Sequence, residues 1–200
     1  MKTPGVALTR RLFGLFIVLA CSAAFGQNVN VRGRIAAFDG KTLSVTARDG
    51  RDVQVDVPEK AGVAATQRFG IEDLKPGMTL AVTTVKKPDG QLVAIDVRPI
   101  PPSAPLGLSP YDLQPGSTMT NAILEGSVQS SAGREITLNY KNGTVKVLVP
   151  EGTPMSRGVP AQRSDLQPGQ AVYVAARPGE DGKLTALRVQ VGKNGVNPTQ

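Results

Sequence analysis

Apolar and polar positions alternate with a period of two through most of the chain after residue 27. The apolar set is Val31, Ile35 and Ala37, then Leu43 and Val45, then Val53, Val55 and Val57, then Leu80 and Val82, then Leu92, Ala94 or Ile95, and Val97. Such alternation marks short, half-buried strands. The breaks fall at Asp39-Gly40, Asp49-Gly50 and Asp89-Gly90, hairpin dipeptides suited to type I′ turns, whose positive φ glycine adopts without strain. The pattern predicts a three-stranded meander, an irregular connection over residues 59–77, and a closing two-stranded hairpin. The connection ends in Asp73-Leu74-x-Pro76-Gly77; its leucine is expected to plug a barrel end, and Pro-Gly to turn the chain into the fourth strand.

The same plan recurs further along. A shift of 93 residues places Gly33 on Gly126, Gly40 on Gly133 and Gly50 on Gly143. After a one-residue deletion, a shift of 92 places Val53-x-Val55-x-Val57-Pro58-Glu59 on Val145-x-Val147-x-Val149-Pro150-Glu151. Asp73-Leu74-x-Pro76-Gly77 then falls on Asp165-Leu166-x-Pro168-Gly169, and Asp89-Gly90-x-Leu92 on Asp181-Gly182-x-Leu184. The chain reads as a tandem duplication, with residues 151–169 the second irregular connection. A meander, a longer connection after the third strand and a final hairpin is the layout of an OB-like small barrel, whose closure removes the exposed strand edges.

The expected fold class is therefore all-β: two tandem five-stranded OB-like barrels joined by a proline-rich linker. The first barrel is expected over 27–98, the linker over 99–120, the second barrel over 121–192 and a flexible tail over 193–200. The linker reading rests on six prolines between Arg98 and Thr120, a composition that stiffens a spacer.

Residues 1–26 read as an address. Lys2, Arg10 and Arg11 precede the apolar run Leu12–Ala20, and small residues follow, as in a secretory signal peptide. Two processing routes fit: cleavage after Gly26, or lipid attachment at Cys21. The expected localisation is export to the periplasm or beyond, or anchorage through Cys21. The apolar run is too short for a membrane span.

Composition narrows the chemistry. With no His, no Trp and one Cys, imidazole acid–base catalysis, His-ligated metal sites and a Cys-His pair are excluded. The formal charge of +7 falls to +4 without residues 1–26, which hold three of the 23 basic side chains and none of the 16 acidic ones. The remaining charges are interspersed, as on a solvated surface. Asp39, Asp49, Asp73, Asp89, Asp165 and Asp181 fall at turns, and Glu59 and Glu151 recur as carboxylates with a turn role of their own. No catalytic activity, cofactor or metal is expected.

The combined pattern G-x-[IV], V-x-V-x-V-P, D-L-x-P-G and D-G-x-L-x-A resembles a group of exported bacterial small-barrel domains of unknown function, and the resemblance covers most of the chain twice. A more distant likeness is to periplasmic copper-binding OB barrels. Their His and Trp are absent, and the methionines after residue 27 stand at 78, 119 and 155, so copper binding is not carried over.

The candidate interaction residues are Tyr173, Leu148, Arg32, Arg34, Arg48 and Arg51. Tyr173 alternates with Val172 and Val174, and Leu148 is out of phase with Val147 and Val149, so both are expected to face outward. The four arginines are expected along one face of the first barrel. Five dispersed aromatics make a poor stacking platform for bases, so nucleic acid is not the expected partner. The reading is a non-catalytic exported cell-envelope binding or assembly module, its partner another envelope protein or polymer. The alternatives are a periplasmic small-ligand or metal sensor and a single-stranded nucleic-acid-binding OB protein.

Overall fold

The computed structural model describes residues 28–199; the expected signal peptide and Cys21 lie outside them. The strands are β1 (Val29–Phe38), β2 (Thr42–Ala47), β3 (Asp52–Asp56), β4 (Gly62–Arg68), β5 (Thr79–Lys86), β6 (Leu92–Pro99), β7 (Gly107–Pro110), β8 (Thr118–Ser130), β9 (Gly133–Tyr140), β10 (Gly143–Val149), β11 (Ser156–Pro160), β12 (Ala171–Pro178) and β13 (Leu184–Val191). Two 3-10 turns, Ile71–Asp73 and Arg163–Asp165, are the helical content of the described residues.

Two five-stranded barrels close. Barrel I runs β12-β1-β2-β3-β13 and returns from β13 to β12; barrel II runs β5-β8-β9-β10-β6 and returns from β6 to β5. In each, one neighbouring pair is parallel, Leu184 beside Val55 in barrel I and Leu148 beside Val93 in barrel II. The strands of each barrel thus stand in the OB-like order of meander and closing hairpin expected from the pattern. The alternating residues fill both interiors. Ile35, Leu43, Val45, Val55, Val174 and Val189 lie in the core of barrel I, and Leu80, Val82, Val97, Leu124, Ile136 and Leu138 in that of barrel II.

The residue ranges 27–98 and 121–192 do not each make a barrel. Barrel I joins the first meander to the second hairpin, and barrel II joins the second meander to the first hairpin. The connections at 59–77 and 151–169 carry the exchange. They contain β4 and β11, which pair antiparallel with each other, so neither connection is wholly irregular. Thr66 pairs with Gly158, its counterpart 92 residues on, and the register steps away evenly to Ala64 with Pro160 and Arg68 with Ser156. A pseudo-two-fold axis therefore passes through the Thr66–Gly158 pair. β4 continues into barrel I beside β13, while Met155 bridges to Val97 of β6 in barrel II. Each Asp-Leu-x-Pro-Gly segment docks on the other half's meander. Leu166 is buried in the core of barrel I and Leu74 packs partly against that of barrel II.

The docking also corrects the alignment of the first strands. The Gly169 amide donates to the Ile35 carbonyl at 2.7 Å and the Gly77 amide to the Leu124 carbonyl at 2.8 Å. A bulge follows in both strands, between Ile35 and Ala37 and between Leu124 and Gly126. Ile35 thus corresponds to Leu124, a shift of 89 rather than 93, and the four extra residues lengthen the β8–β9 hairpin. Gly33 does not correspond to Gly126. It is required locally, because a Cβ there would lie 2.1 Å from the Thr46 carbonyl oxygen.

Two further expectations change. The stretch 99–120 is not a bare linker: β7 pairs with β8, which begins at Thr118. The tail is held in part, since Pro198 is buried, Lys193 bridges to Val196, and the Thr199 hydroxyl bonds the Asp96 carboxylate.

Candidate functional site

Tyr173 does leave the core of barrel I, as its alternation requires, yet it is only 4% exposed. What covers it is a stack of side chains that the chain order keeps far apart. Arg188 of β13 and Arg32 of β1 lie over the Tyr173 ring, 5.6 and 5.5 Å from its centre. Arg32 also lies over Tyr111 at 5.6 Å, and Arg98 of β6 over Tyr111 at 5.9 Å. Alternating cations and rings thus link barrel I, the proline-rich segment and barrel II. Each such contact contributes about 0.5–2 kcal/mol, more where water is excluded.

Polar partners fix the stack. Arg32 makes a two-pronged bond to Asp112 at 2.8 and 3.1 Å, and Asn30 joins at 2.9 Å while accepting from the Tyr173 hydroxyl. The hydrogen bonds from Arg32 hold the Asp112 carboxyl below the usual carboxylate range, against the effect of its partial burial. Beneath, Arg98 donates to the fully buried Asp96. Burial pushes the Asp96 carboxyl above the usual range despite the opposing pull of Arg98, Thr199 and Arg32. Arg32 and Tyr173 are therefore parts of the joint between barrels rather than a free contact surface.

Leu148 is also covered, at 8% exposure. It stands at the seam where β10 closes on β6, so a position out of phase with the core still finds a neighbour. Its counterpart Asp56 sits at the equivalent seam beside Thr185 and remains half-buried.

Arg34, Arg48 and Arg51 stay exposed. Arg34 and Arg48 line a cleft of about 650 Å³ over β1, β2 and the Gly169 turn, with Asn197 and Pro198 also in its lining and, among the described residues, no carboxylate there. The Arg34 guanidinium is oriented by a 2.8 Å bond to the Gly169 carbonyl. A second cleft of about 300 Å³ shares Arg48 and adds Arg32 and Arg51, but also Asp49 and Asp112. There Arg51 is engaged by Asp49 at 2.7 Å. Of the arginines expected on one face, the fold thus leaves Arg34 and Arg48 together in an acid-free cleft.

The ends of the two barrels differ at positions the pseudo-symmetry equates. In barrel I the Arg163 guanidinium donates to the carbonyls of Gly40 at 2.6 Å, Val57 at 2.8 Å and Pro58 at 3.2 Å, and lies over the Phe38 ring. It seals that end. The corresponding residue at barrel II is Ile71, which leads the equivalent 3-10 turn, and the end stays open as a cleft of about 380 Å³. Phe69, Ile71, Val149 and Met155 give it an apolar floor; Arg68, Arg134, Glu72 and Glu151 stand around it. The longer β8–β9 hairpin supplies Gln129 and Arg134, and the Arg134 Nε is out of contact with solvent and has no acceptor. Sequence reasoning missed this site. Its trace in the sequence is Arg163 standing where the other copy has Ile71, two residues before the matching Asp-Leu-x-Pro-Gly motif. Removing the seal should be costly: Arg163→Ala is expected to lower stability by about 2–3 kcal/mol, since bonds from a charged donor to three carbonyls are lost. A urea titration checks this, and a change under about 0.5 kcal/mol would show that water replaces the guanidinium without loss.

Among the described residues no group of three or more His, Cys, Asp or Glu could hold a metal, and no helix is long and apolar enough to cross a membrane. Residues 125–190 match the model of a domain of unknown function, DUF5666. No curated protein and no solved structure matches the chain. The matched segment runs from β8 into β13, so in this fold it contributes the meander of barrel II and the hairpin of barrel I.

Proposed function

We propose that the chain is a non-catalytic binding module of the cell envelope, exported by its N-terminal segment, that holds a partner through an acidic stretch laid in the Arg34–Arg48 cleft. The observation that carries this reading is that no acid of the described residues lines that cleft, where Arg34 of β1 and Arg48 just past β2 face one space of about 650 Å³. On the same face of the barrel, by contrast, Arg32 is engaged by Asp112 and Arg51 by Asp49. Arg34 and Arg48 present positive charge to a space that no described carboxylate lines, which attracts an anionic segment and steers its approach. The exchanged hairpins and the cation–ring stack support an assembly role, because they join the two barrels into a body that presents its clefts in fixed relation.

Fluorescent polyglutamate titrated at low salt tests the reading. Saturable binding is expected, about tenfold or more weaker in Arg34→Glu/Arg48→Glu and unchanged in Lys86→Glu/Lys87→Glu. The latter reverses the same amount of charge at the exposed β5–β6 turn. Equal weakening in both variants would mean that net charge, not the cleft, draws the probe. N-terminal sequencing of the envelope-derived protein decides between a start at Gln27 and a lipid at Cys21.

A further inference from the structure

We infer that the open end of barrel II is a second, separate binding site, for a small amphiphile with an apolar chain and a singly charged carboxylate head. The two barrel ends are built from equivalent parts, with the same 3-10 turn and the same self-cap, in which Asp73 and Asp165 each accept from a backbone amide at 2.9 Å. They differ in what occupies the mouth. Arg163 fills it in barrel I with a charged group bonded to three carbonyls. Ile71 at barrel II supplies no donor. Two of the corresponding carbonyls are instead satisfied locally, Gly133 by Gln129 and Pro150 by Thr153, so the mouth has no need of a plug.

The space left has two chemical zones. Phe69 and Val149, each only 3% exposed, form its base together with Ile71 and Met155, a lining suited to a hydrocarbon chain. At the wall, Arg134 gives one N–H to the Ser127 hydroxyl at 3.3 Å and leaves its Nε hydrogen out of water without an acceptor. The half-buried Arg134 guanidinium lines the cleft together with Arg68, so an anionic head entering it finds charge-assisted donors. Glu72 and Glu151 share the lining and repel a doubly charged or polymeric head. The volume of about 380 Å³ lies in the range of small-ligand pockets.

Isothermal titration of the chain with decanoate, decanol, decyltrimethylammonium and decyl phosphate, each below its micelle threshold, tests the inference. One decanoate per chain is expected, with decanol and decyl phosphate each about tenfold or more weaker and no saturable binding of the cation. Ile71→Arg recreates the seal of barrel I and should abolish decanoate binding. Arg134→Gln should weaken decanoate roughly tenfold and leave decanol unchanged, while Arg34→Glu/Arg48→Glu should alter neither. Equal affinity for decanoate and decanol, native affinity in a folded Ile71→Arg chain, or an unaffected Arg134→Gln variant would each overturn the proposal. If Ile71→Arg fails to fold, the Arg134→Gln comparison decides alone.

Discussion

Expressed alone, residues 107–199 will form a dimer of exchanged hairpins rather than a monomeric barrel. The fragment holds the meander β8–β10 of barrel II but the hairpin β12–β13 of barrel I. As a monomer with these parts apart, it exposes Ile136, Leu138 and Val147 on one side and Val172, Val174 and Val189 on the other, all fully or almost fully buried in the whole chain. Each buried side chain of this kind contributes about 1.5–3 kcal/mol, so the open monomer is untenable. A second copy supplies the missing hairpin in each direction, with β11 pairing to β11 about Gly158 as it pairs to β4 in the full chain. Such exchange is a low-cost route to a symmetric dimer. Light scattering on the eluted fragment should give twice its chain mass, and adding residues 28–106 before refolding should divert it into a one-to-one complex. A folded monomer would mean that the arm 150–170 lets the hairpin return to its own meander.

Asp96→Ala is expected to destabilise the protein by about 3–5 kcal/mol, because it leaves the Arg98 guanidinium buried without its carboxylate. Asp96 is 0% and Arg98 6% exposed, and the tail loses its Thr199 bond in the same step. Asp96→Asn retains an acceptor and should lose much less. Replacing both members by apolar residues should be close to neutral, since burying the charges offsets most of their attraction. The pH dependence has a definite sign. Burial raises the folded-state pKa of Asp96 above its unfolded value, so its contribution is fully present below the unfolded value and is lost as pH rises through the folded one. Urea midpoints across that window should fall with rising pH in the native chain and lose this component in Asp96→Asn. An Asp96→Ala chain as stable as the native one would show that water reaches Arg98.

This joint explains why Tyr173 was misread as a contact residue. Period two correctly turned its ring away from Val172 and Val174, but facing away from one core is not facing solvent. Arg32 and Arg188 reach it from the neighbouring strands of its own sheet, but Tyr111, with Arg98 behind it, closes over Arg32 only because the two barrels and the proline-rich segment pack together, and nothing local to any of them encodes that meeting. Leu148 has a similar history, since its cover is the seam with β6. The open end of barrel II was half legible: the alignment sets Ile71 against Arg163, but that this position stands over a barrel mouth follows only from the crossed docking of the Pro-Gly turns.

By itself the sequence determined the ten strands of the two barrels, through period-two burial, though not β4, β7 or β11, and the hairpin turns, through glycines such as Gly40 and Gly50 at φ of +94° and +83°. It also determined that the parts come in pairs, through motifs repeated 92 residues apart. Which hairpin closes which barrel was decided by tertiary structure alone. Two equivalent hairpins offer two equivalent meanders nearly the same apolar face, so the local pattern is satisfied by either pairing. What accompanies the crossed choice in this structure is the antiparallel pairing of β4 with β11, which bonds the two connections to each other between the barrels.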